Sequence, residues 1–220
     1  MKIAILSCFY PYRGGIAQFN ANLFKELGKN HQVRAFNFKR QYPEFLFPGK
    51  TQYVTQDDVA IKIDSTPVLD SVNPFSYYSA AGEIRDFSPD LLIMRYWMSF
   101  FAPSLGCVAR NIGPQTKIIS VLDNVVPHEK RFFDTPFTKF FLNSGKNHGF
   151  VVLSESVGQD LLNLKPDARF IHIPHPLYNH FGEKCPREEA VKKLGIDPEK
   201  KTLLFFGLIR DYKGLDVLLD

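Results

Sequence analysis

Residues Lys2 to Phe38 read KIAILSCFYPYRGGIAQFNANLFKELGKNHQVRAFNF, and this pattern predicts a strand, a glycine turn, a helix and a second strand. The run Lys2–Phe9 is almost continuously apolar, as in a strand that is buried on both faces of a parallel sheet. A Pro/Gly turn follows, and an apolar stripe with helical spacing then ends near Gly28. Together these segments predict a βαβ unit.

Strand and helix patterns alternate along the rest of the chain. Further strands are predicted at residues 90–97, 116–124, 149–154 and 168–176. Helices are predicted from Asn73-Pro74 to Phe87 and at residues 100–112, 130–145 and 155–164. The helix at residues 130–145 is predicted to break at Pro136. Residues 40–50 lack a clear period and predict a long loop. The alternation predicts an α/β fold with a parallel sheet flanked by helices, which binds ligands at the carboxyl ends of its strands.

The polar segment that follows Tyr178 predicts a domain boundary. We expect residues 1–180 to form one domain and residues 181–201 to form a linker with a short helix that ends before Gly195. Residues 202–220 begin with the apolar strand pattern TLLFFG, continue through a cationic turn and start a helix. We therefore expect the start of a second, truncated domain.

Composition predicts an ordinary globular protein. Of 220 residues, 45% are hydrophobic and 23% are charged, which argues against disorder. The net charge of +4, without a run of five Lys or Arg, does not indicate nucleic-acid binding. Three widely spaced cysteines, Cys8, Cys107 and Cys185, fit free thiols in a reducing compartment. With no apolar run of membrane-spanning length, we expect a cytoplasmic protein.

The glycine turn is the first candidate site. Arg13, Gly14 and Gly15 lie between the first predicted strand and the first predicted helix, where backbone N–H groups bind phosphate in many proteins. The sequence is neither G-x-G-x-x-G nor a P-loop, which argues against a dinucleotide enzyme. A tight turn without a ligand is the alternative.

The segment VLDNVVPHEKR is the second candidate site, since it also follows a predicted strand. It brings Asp123, Asn124, His128 and Glu129 together, and a histidine can orient or deprotonate a hydroxyl near neutral pH. The alternative is a strand end followed by a capped helix.

Two further groups of polar residues have ordinary structural explanations. Ser154 and Glu155 follow a predicted strand, but an N-cap explains them as well as a site does. His172, His175 and His180 lack the spacing of metal ligands, and the chain contains no D-x-D sequence. We therefore expect no chelated divalent metal.

The closing segment FFGLIRDYKGLDVLLD is the last candidate site. Arg210 and Lys213 follow a predicted strand, and two cations at such a turn can clamp a diphosphate. An exposed loop with ordinary charges is the alternative.

Residues 130–142 interleave phenylalanines with basic residues. Such a segment can lie on a membrane surface, although an apolar stripe is more often part of a core. Peripheral contact with the inner face of the membrane is the prediction to test.

These segments, in their order and spacing along the whole chain, resemble glycosyltransferase family 4, whose members have the GT-B fold. The resemblance runs from RGGIAQFNANLFKEL through LDNVVPHEKR, LSESVGQDL and IPHPLYNHF to FFGLIRDYKGLDVLL. It implies a Rossmann-like acceptor domain, one half of a GT-B fold, followed by the start of a second Rossmann-like domain that binds a nucleotide-sugar.

The resemblance also implies roles for single residues. Gly14 and Gly15 would approach the donor diphosphate, His128 would lie near the reacting sugar, and Arg210 and Lys213 would neutralise the leaving nucleoside diphosphate. Many members place the arginine directly after the glycine, whereas Leu208 follows Gly207 here, so Lys213 is the safer assignment.

The implied reaction transfers a hexose from a UDP- or GDP-sugar to a glycan or lipid-linked acceptor, with retention and without a metal or other cofactor. Cations at the leaving phosphate stabilise the transition state in place of a metal. A role in cell-surface polysaccharide or glycolipid synthesis fits, and the paired-glutamate motif of the family would lie beyond Asp220, so we expect this chain to be inactive alone. The alternative is a non-catalytic Rossmann-like binding module that acts with a partner chain.

Overall fold

The computed structural model describes residues 1–47, 51–56, 58–127, 131–145, 148–177, 182–206, 209 and 213–219. The chain divides into two compact units, Met1–His175 and Pro176–Asp220. The first unit contains a parallel sheet with helices around it. The described part of the second unit contains two short helices.

Seven parallel strands form the sheet of the first unit. They are β1 (Lys2–Leu6), β2 (Gln32–Arg40), β3 (Ser65–Asp70), β4 (Leu91–Tyr96), β5 (Lys117–Leu122), β6 (His148–Val152) and β7 (Phe170–His172). Their order is β3-β2-β1-β4-β5-β6-β7, which confirms the predicted α/β Rossmann-like class. The order reverses direction between β1 and β4, and the loops after these two strands border the crevice where such sheets bind ligands.

Five helices flank this sheet. They are α1 (Gly15–Gly28), α2 (Pro74–Phe87), α3 (Ala102–Asn111), α4 (Asp134–Leu142) and α5 (Glu155–Leu164), with 3-10 turns at Glu44–Leu46 and Ser99–Phe101. Two predicted N-caps are confirmed. The Asn73 side chain accepts a hydrogen bond from the Phe75 amide at 3.1 Å, and the Ser154 hydroxyl accepts one from the Val157 amide at 3.3 Å.

The central strand β1 is buried on both faces, as its sequence predicts. Ala4 and Leu6 pack into the core on one face, while Ile3 and Ile5 pack into a second cluster on the other face. None of the four is more than 2% exposed. Burial on both faces leaves only the strand ends available to a ligand.

The sequence analysis missed strand β3. Pro67 lies in the middle of this strand and cannot donate a ladder hydrogen bond, so the pattern argued against a strand. The structure resolves the conflict by placing β3 at the edge of the sheet, where it pairs with β2 through two register shifts.

The break predicted at Pro136 was wrong. Helix α4 begins at Asp134, so Pro136 lies in its first turn, where a proline is tolerated. The buried carboxylate of Asp134 accepts a hydrogen bond from the Arg131 amide at 2.6 Å.

In the second unit, one helix prediction is confirmed and a strand prediction is wrong. Helix α6 (Arg187–Leu194) ends at Gly195, which has a φ of 64°, and helix α7 spans Leu215–Leu219. Residues 202–206 form no strand, and the Leu203, Leu204 and Phe206 side chains are exposed. Strand residues are stabilised by cross-strand neighbours, and the described part of this unit provides no strand to pair with.

Candidate functional site

The glycine turn after β1 leaves open space beside Gly14, at the start of α1. Gly14, the N-cap residue of α1, has a φ of 109° and a ψ of 173°, a region that is essentially restricted to glycine. No heavy atom lies within 4 Å of the position that a Cβ at Gly14 would occupy. Gly14 has no side chain with which to cap α1, and the first turn of this helix contains no acidic residue, so its positive dipole end is not neutralised by a carboxylate of that turn.

We expect Gly14→Ala to lower the free energy of unfolding by about 1–3 kcal/mol, because alanine is strained at this backbone conformation. Gly28→Ala is the matched control, since it also has open space around the added Cβ and has no positive φ. Urea denaturation of both variants measures the difference. Equal stabilities would contradict the strain that we assign to Gly14.

Two buried asparagines hold the chain that leads into this turn. Asn37 of β2 accepts a hydrogen bond from the Phe9 amide at 3.1 Å and donates to the Tyr10 carbonyl at 3.0 Å. Asn20 of α1 donates to the Ser7 hydroxyl at 2.8 Å and to the Cys8 carbonyl at 2.9 Å. Sequence reasoning missed both, although each is a polar residue in a segment with an apolar pattern.

Gln52, Tyr53 and Asp58 pack along the glycine turn. The Arg13 amide donates to the Gln52 carbonyl at 3.0 Å, and the rings of Tyr12 and Tyr53 stack at 5.3 Å. The Arg13 guanidinium, a predicted site group, pairs with Asp58 at 3.1 Å. Hydrogen bonds from Thr55, together with the charge of Arg13, lower the pKa of Asp58. Arg13 is therefore engaged within the loop, and its predicted role in a site stays a prediction.

A buried ion pair joins β4 to the loop after β5. Arg95 is 3% exposed, and its Nε donates to Asp123 Oδ2 at 2.7 Å while its Nη2 donates to Oδ1. The guanidinium also lies over the Phe19 ring of α1, 3.8 Å from the ring centroid. The structure therefore places Asp123, a predicted site residue, just beyond the carboxyl end of β5, where it pairs with an arginine that contacts α1.

The sequence analysis did not single out Arg95 or Phe19. A lone arginine inside the apolar run LLIMRYW is the signal that was available, since a charged residue in a buried strand is rarely without a partner. Phe19 was assigned only to the apolar stripe of the first helix.

The other predicted residues are spread over several parts of the chain. Asn124 is exposed beside Asp123, Ser154 caps α5, and Glu155 is exposed in the first turn of that helix. His128, Glu129 and Arg210 lie outside the described residues. Lys213 belongs to the second unit, where its side chain is exposed just before α7. The functional roles of these seven residues stay predictions.

His172, the last residue of β7, and His175, which follows this strand, belong to no group of metal-binding side chains among the described residues. The His175 ring contacts the edge of the Phe19 ring at 5.8 Å, and His172 is exposed, while His180 lies outside the description. The described part of the chain contains no group of three or more His, Cys, Asp or Glu side chains that could hold a metal.

The aromatic segment that includes α4 is partly core and partly surface. Phe141 is fully buried and stacks on Tyr96 at 4.5 Å, whereas Phe132 is 93% exposed and Phe137 is 39% exposed. No helix among the described residues has the length and apolar character to cross a membrane. Membrane contact through residues 130–142 stays a prediction.

Comparison with known proteins shows the fold and not the family. No protein-family model and no curated protein matches the chain. An alpha-glucosyltransferase solved with UDP and a 13-mer DNA containing a central A:G mismatch matches 77% of this chain with a TM-score of 0.52 and 14% identity. Only 40% of that enzyme is covered.

Two other solved structures match less closely. An alpha-glucosyltransferase (AGT) in complex with UDP matches 84% of this chain and 42% of its own length, with a TM-score of 0.44 and 13% identity. MurG of Acinetobacter baumannii matches 81% of this chain and 46% of its own length, with a TM-score of 0.42 and 13% identity. The first of the three likenesses shows a shared α/β Rossmann-like fold. This chain spans less than half the length of each of the three structures.

Proposed function

We propose that residues 1–180 are the acceptor half of a glycosyltransferase that transfers a hexose from a UDP- or GDP-sugar. The observation that carries the proposal is the glycine turn before α1, placed at the carboxyl end of β1 where the strand order reverses. The match to a glucosyltransferase solved with UDP supports the fold on which this proposal depends.

In the proposed reaction, the protein stabilises charge without a metal. The first turn of α1 and the open space at Gly14 receive the donor diphosphate, while Arg210 and Lys213 neutralise the leaving nucleoside diphosphate. His128 contacts the reacting groups, and Asp123, Asn124 and Glu129 line the acceptor side. We expect the anomeric configuration to be retained because the sequence resembles glycosyltransferase family 4.

Residues 202–220 are, in this proposal, the start of the nucleotide-sugar domain, and residues 181–201 are the linker. The acceptor is a glycan or a lipid-linked saccharide in cell-surface polysaccharide or glycolipid synthesis. The enzyme works in the cytoplasm at the inner face of the membrane.

Release of nucleoside diphosphate from a panel of UDP- and GDP-sugars, with EDTA present, tests the proposal. We expect turnover by a natural protein that is longer than this 25.2 kDa chain and none by the 220 residues alone. His128→Asn should lower kcat by about 100-fold or more. His31→Asn is the control and should leave kcat unchanged, because His31 precedes β2 at the amino ends of the strands.

Sustained turnover by residues 1–220 would contradict the division into two halves. No turnover by the natural protein with any donor, combined with stable association with a partner chain, would favour the alternative of a non-catalytic binding module.

A further inference from the structure

The Phe19 ring of α1 contacts two groups that belong to distant parts of the chain. One is the Arg95 guanidinium near the end of β4, which lies over the ring at 3.8 Å from its centroid. The other is the His175 imidazole, which meets the ring in an edge contact with a centroid separation of 5.8 Å. A single partly buried side chain of α1 therefore joins the end of β4 to the segment that follows β7.

The contact with Arg95 is strengthened by burial of the guanidinium. Arg95 is 3% exposed, and its Nε and Nη2 donate to the Asp123 carboxylate, while Nη1 has no hydrogen-bond partner among the described residues. The face of an aromatic ring carries partial negative charge, and it attracts a cation more strongly where water is excluded. Phe19 therefore helps to fix the guanidinium and, with it, the Asp123 carboxylate.

The contact with His175 holds the last residue of the first unit. β7 ends at His172, the Ile173 amide donates to the Val152 carbonyl at 3.0 Å, and the unit ends two residues later at His175. β7 is an edge strand of the sheet, whereas α1 follows the central strand β1. The segment after β7 therefore turns from the edge of the sheet towards its middle, where it meets Phe19.

We propose that Phe19 is a positioning residue of the candidate site. Its ring fixes Asp123 through Arg95, and it fixes His175 by direct contact, so that both are held in one arrangement around α1. This inference rests on the proposed function, because Asp123 lines the acceptor side in that proposal. It adds His175, which the sequence suggested only as a metal ligand, to the groups gathered around the start of α1.

Amide hydrogen exchange in the 220-residue chain tests the proposal. Phe19→Leu keeps an apolar side chain but removes the ring. The Asp123 amide donates to the Tyr96 carbonyl at 2.9 Å, and the Ile173 amide belongs to the segment that ends at His175. We expect both amides to exchange about tenfold faster or more in this variant, because each belongs to a segment that loses its contact with α1.

Two controls separate positioning from a general loss of stability. The Lys117 amide donates to the Asp90 carbonyl at the amino ends of the same two strands, β4 and β5, and its exchange rate should stay within about twofold in Phe19→Leu. Phe24→Leu is the matched variant, since Phe24 is also a partly buried ring of α1 but contacts Phe9. It should leave the two test amides unchanged.

Phe19→Tyr retains the ring and should retain the slow exchange of both test amides. Equal acceleration of all three amides in Phe19→Leu, equal effects of Phe19→Leu and Phe24→Leu, or no effect of Phe19→Leu would each overturn the proposal. A measurement on the wild-type chain covers the case in which Phe19→Leu does not fold. Nuclear Overhauser effects should join the Phe19 ring protons to the Arg95 side chain and to the His175 ring, and the absence of either would overturn the inference.

The inference and the proposed function fail separately. In the natural enzyme, Phe19→Leu should lower kcat about tenfold or more and leave the KM for the nucleotide-sugar within about twofold, because Asp123 belongs to the acceptor side. A donor screen without turnover would remove the proposed glycosyl transfer and leave the positioning seen by hydrogen exchange standing. An active natural enzyme whose kcat is unchanged by Phe19→Leu would remove the inference alone.

Discussion

Replacing Arg95 with methionine is expected to lower the free energy of unfolding by about 3–5 kcal/mol, because the substitution leaves the Asp123 carboxylate without its charged partner. Arg95 is 3% exposed and the Asp123 side chain is 18% exposed, so water cannot replace the lost partner fully. The stacking of the guanidinium on Phe19 is lost as well, although methionine restores part of that contact.

The double variant Arg95→Met with Asp123→Leu should regain most of the lost stability. Removing both members of a buried pair leaves no unpaired charge, and such replacements are often neutral or stabilising. Urea denaturation of the wild type, both single variants and the double variant completes a double-mutant cycle. If the stability lost in the double variant equals the sum of the losses in the two single variants, the pair contributes little to the stability of the fold, contrary to its geometry.

Acidification is expected to destabilise the protein through His148. This histidine begins β6, its Nε2 lies 2.7 Å from the Ser120 hydroxyl, and its ring packs against Phe150 and Phe141. Burial, reinforced by the charge of Lys165, lowers the pKa of His148 from 6.5 to about 3. The imidazole is therefore neutral in the folded protein over a range in which the unfolded chain is protonated.

The sign of the effect follows from proton binding. Between pH 6.5 and about 3 the unfolded state binds the proton and the folded state does not, so stability falls as the pH is lowered. The loss approaches about 1.4 kcal/mol for each pH unit, or roughly 2 kcal/mol between pH 6.5 and 4.5. Urea denaturation at several pH values in this window measures the slope, before the carboxylates of Asp58 and Asp167, whose pKa values are lowered, begin to protonate.

His148→Gln should flatten this slope, because glutamine can still bond to Ser120 and does not titrate. His172→Gln, at the exposed last residue of β7, should leave the slope unchanged. The assignment would be wrong if the wild type and His148→Gln had the same dependence on pH.

Local signals in the sequence were sufficient for most elements of the fold. Asn73, Ser154 and Gly195 cap helices through contacts with residues that lie a few positions away, so their roles can be predicted from the printed order. The buried strand at Lys2–Leu6 follows from its own composition. The glycine turn could be predicted because it lies between a strand and a helix that are each evident from their own sequence.

Features that depend on distant neighbours could not be predicted in this way. Strand β3 is stable because β2 pairs with it across about 30 positions of the chain, which outweighs the unfavourable Pro67. Arg95 gains its significance from Phe19 and Asp123, which belong to other elements. Conversely, the pattern at residues 202–206 has the composition of a strand, but the described residues offer it no partner.

The two edges of the sheet also determine how the protein behaves at high concentration. One edge is β3, where Pro67 lacks an N–H group and two register shifts interrupt the ladder; the other is β7, which has only three residues. A second chain needs a long, regular row of free N–H and C=O groups to extend a sheet. Neither edge provides such a row, so the sheet resists the strand-to-strand stacking that leads to fibrils.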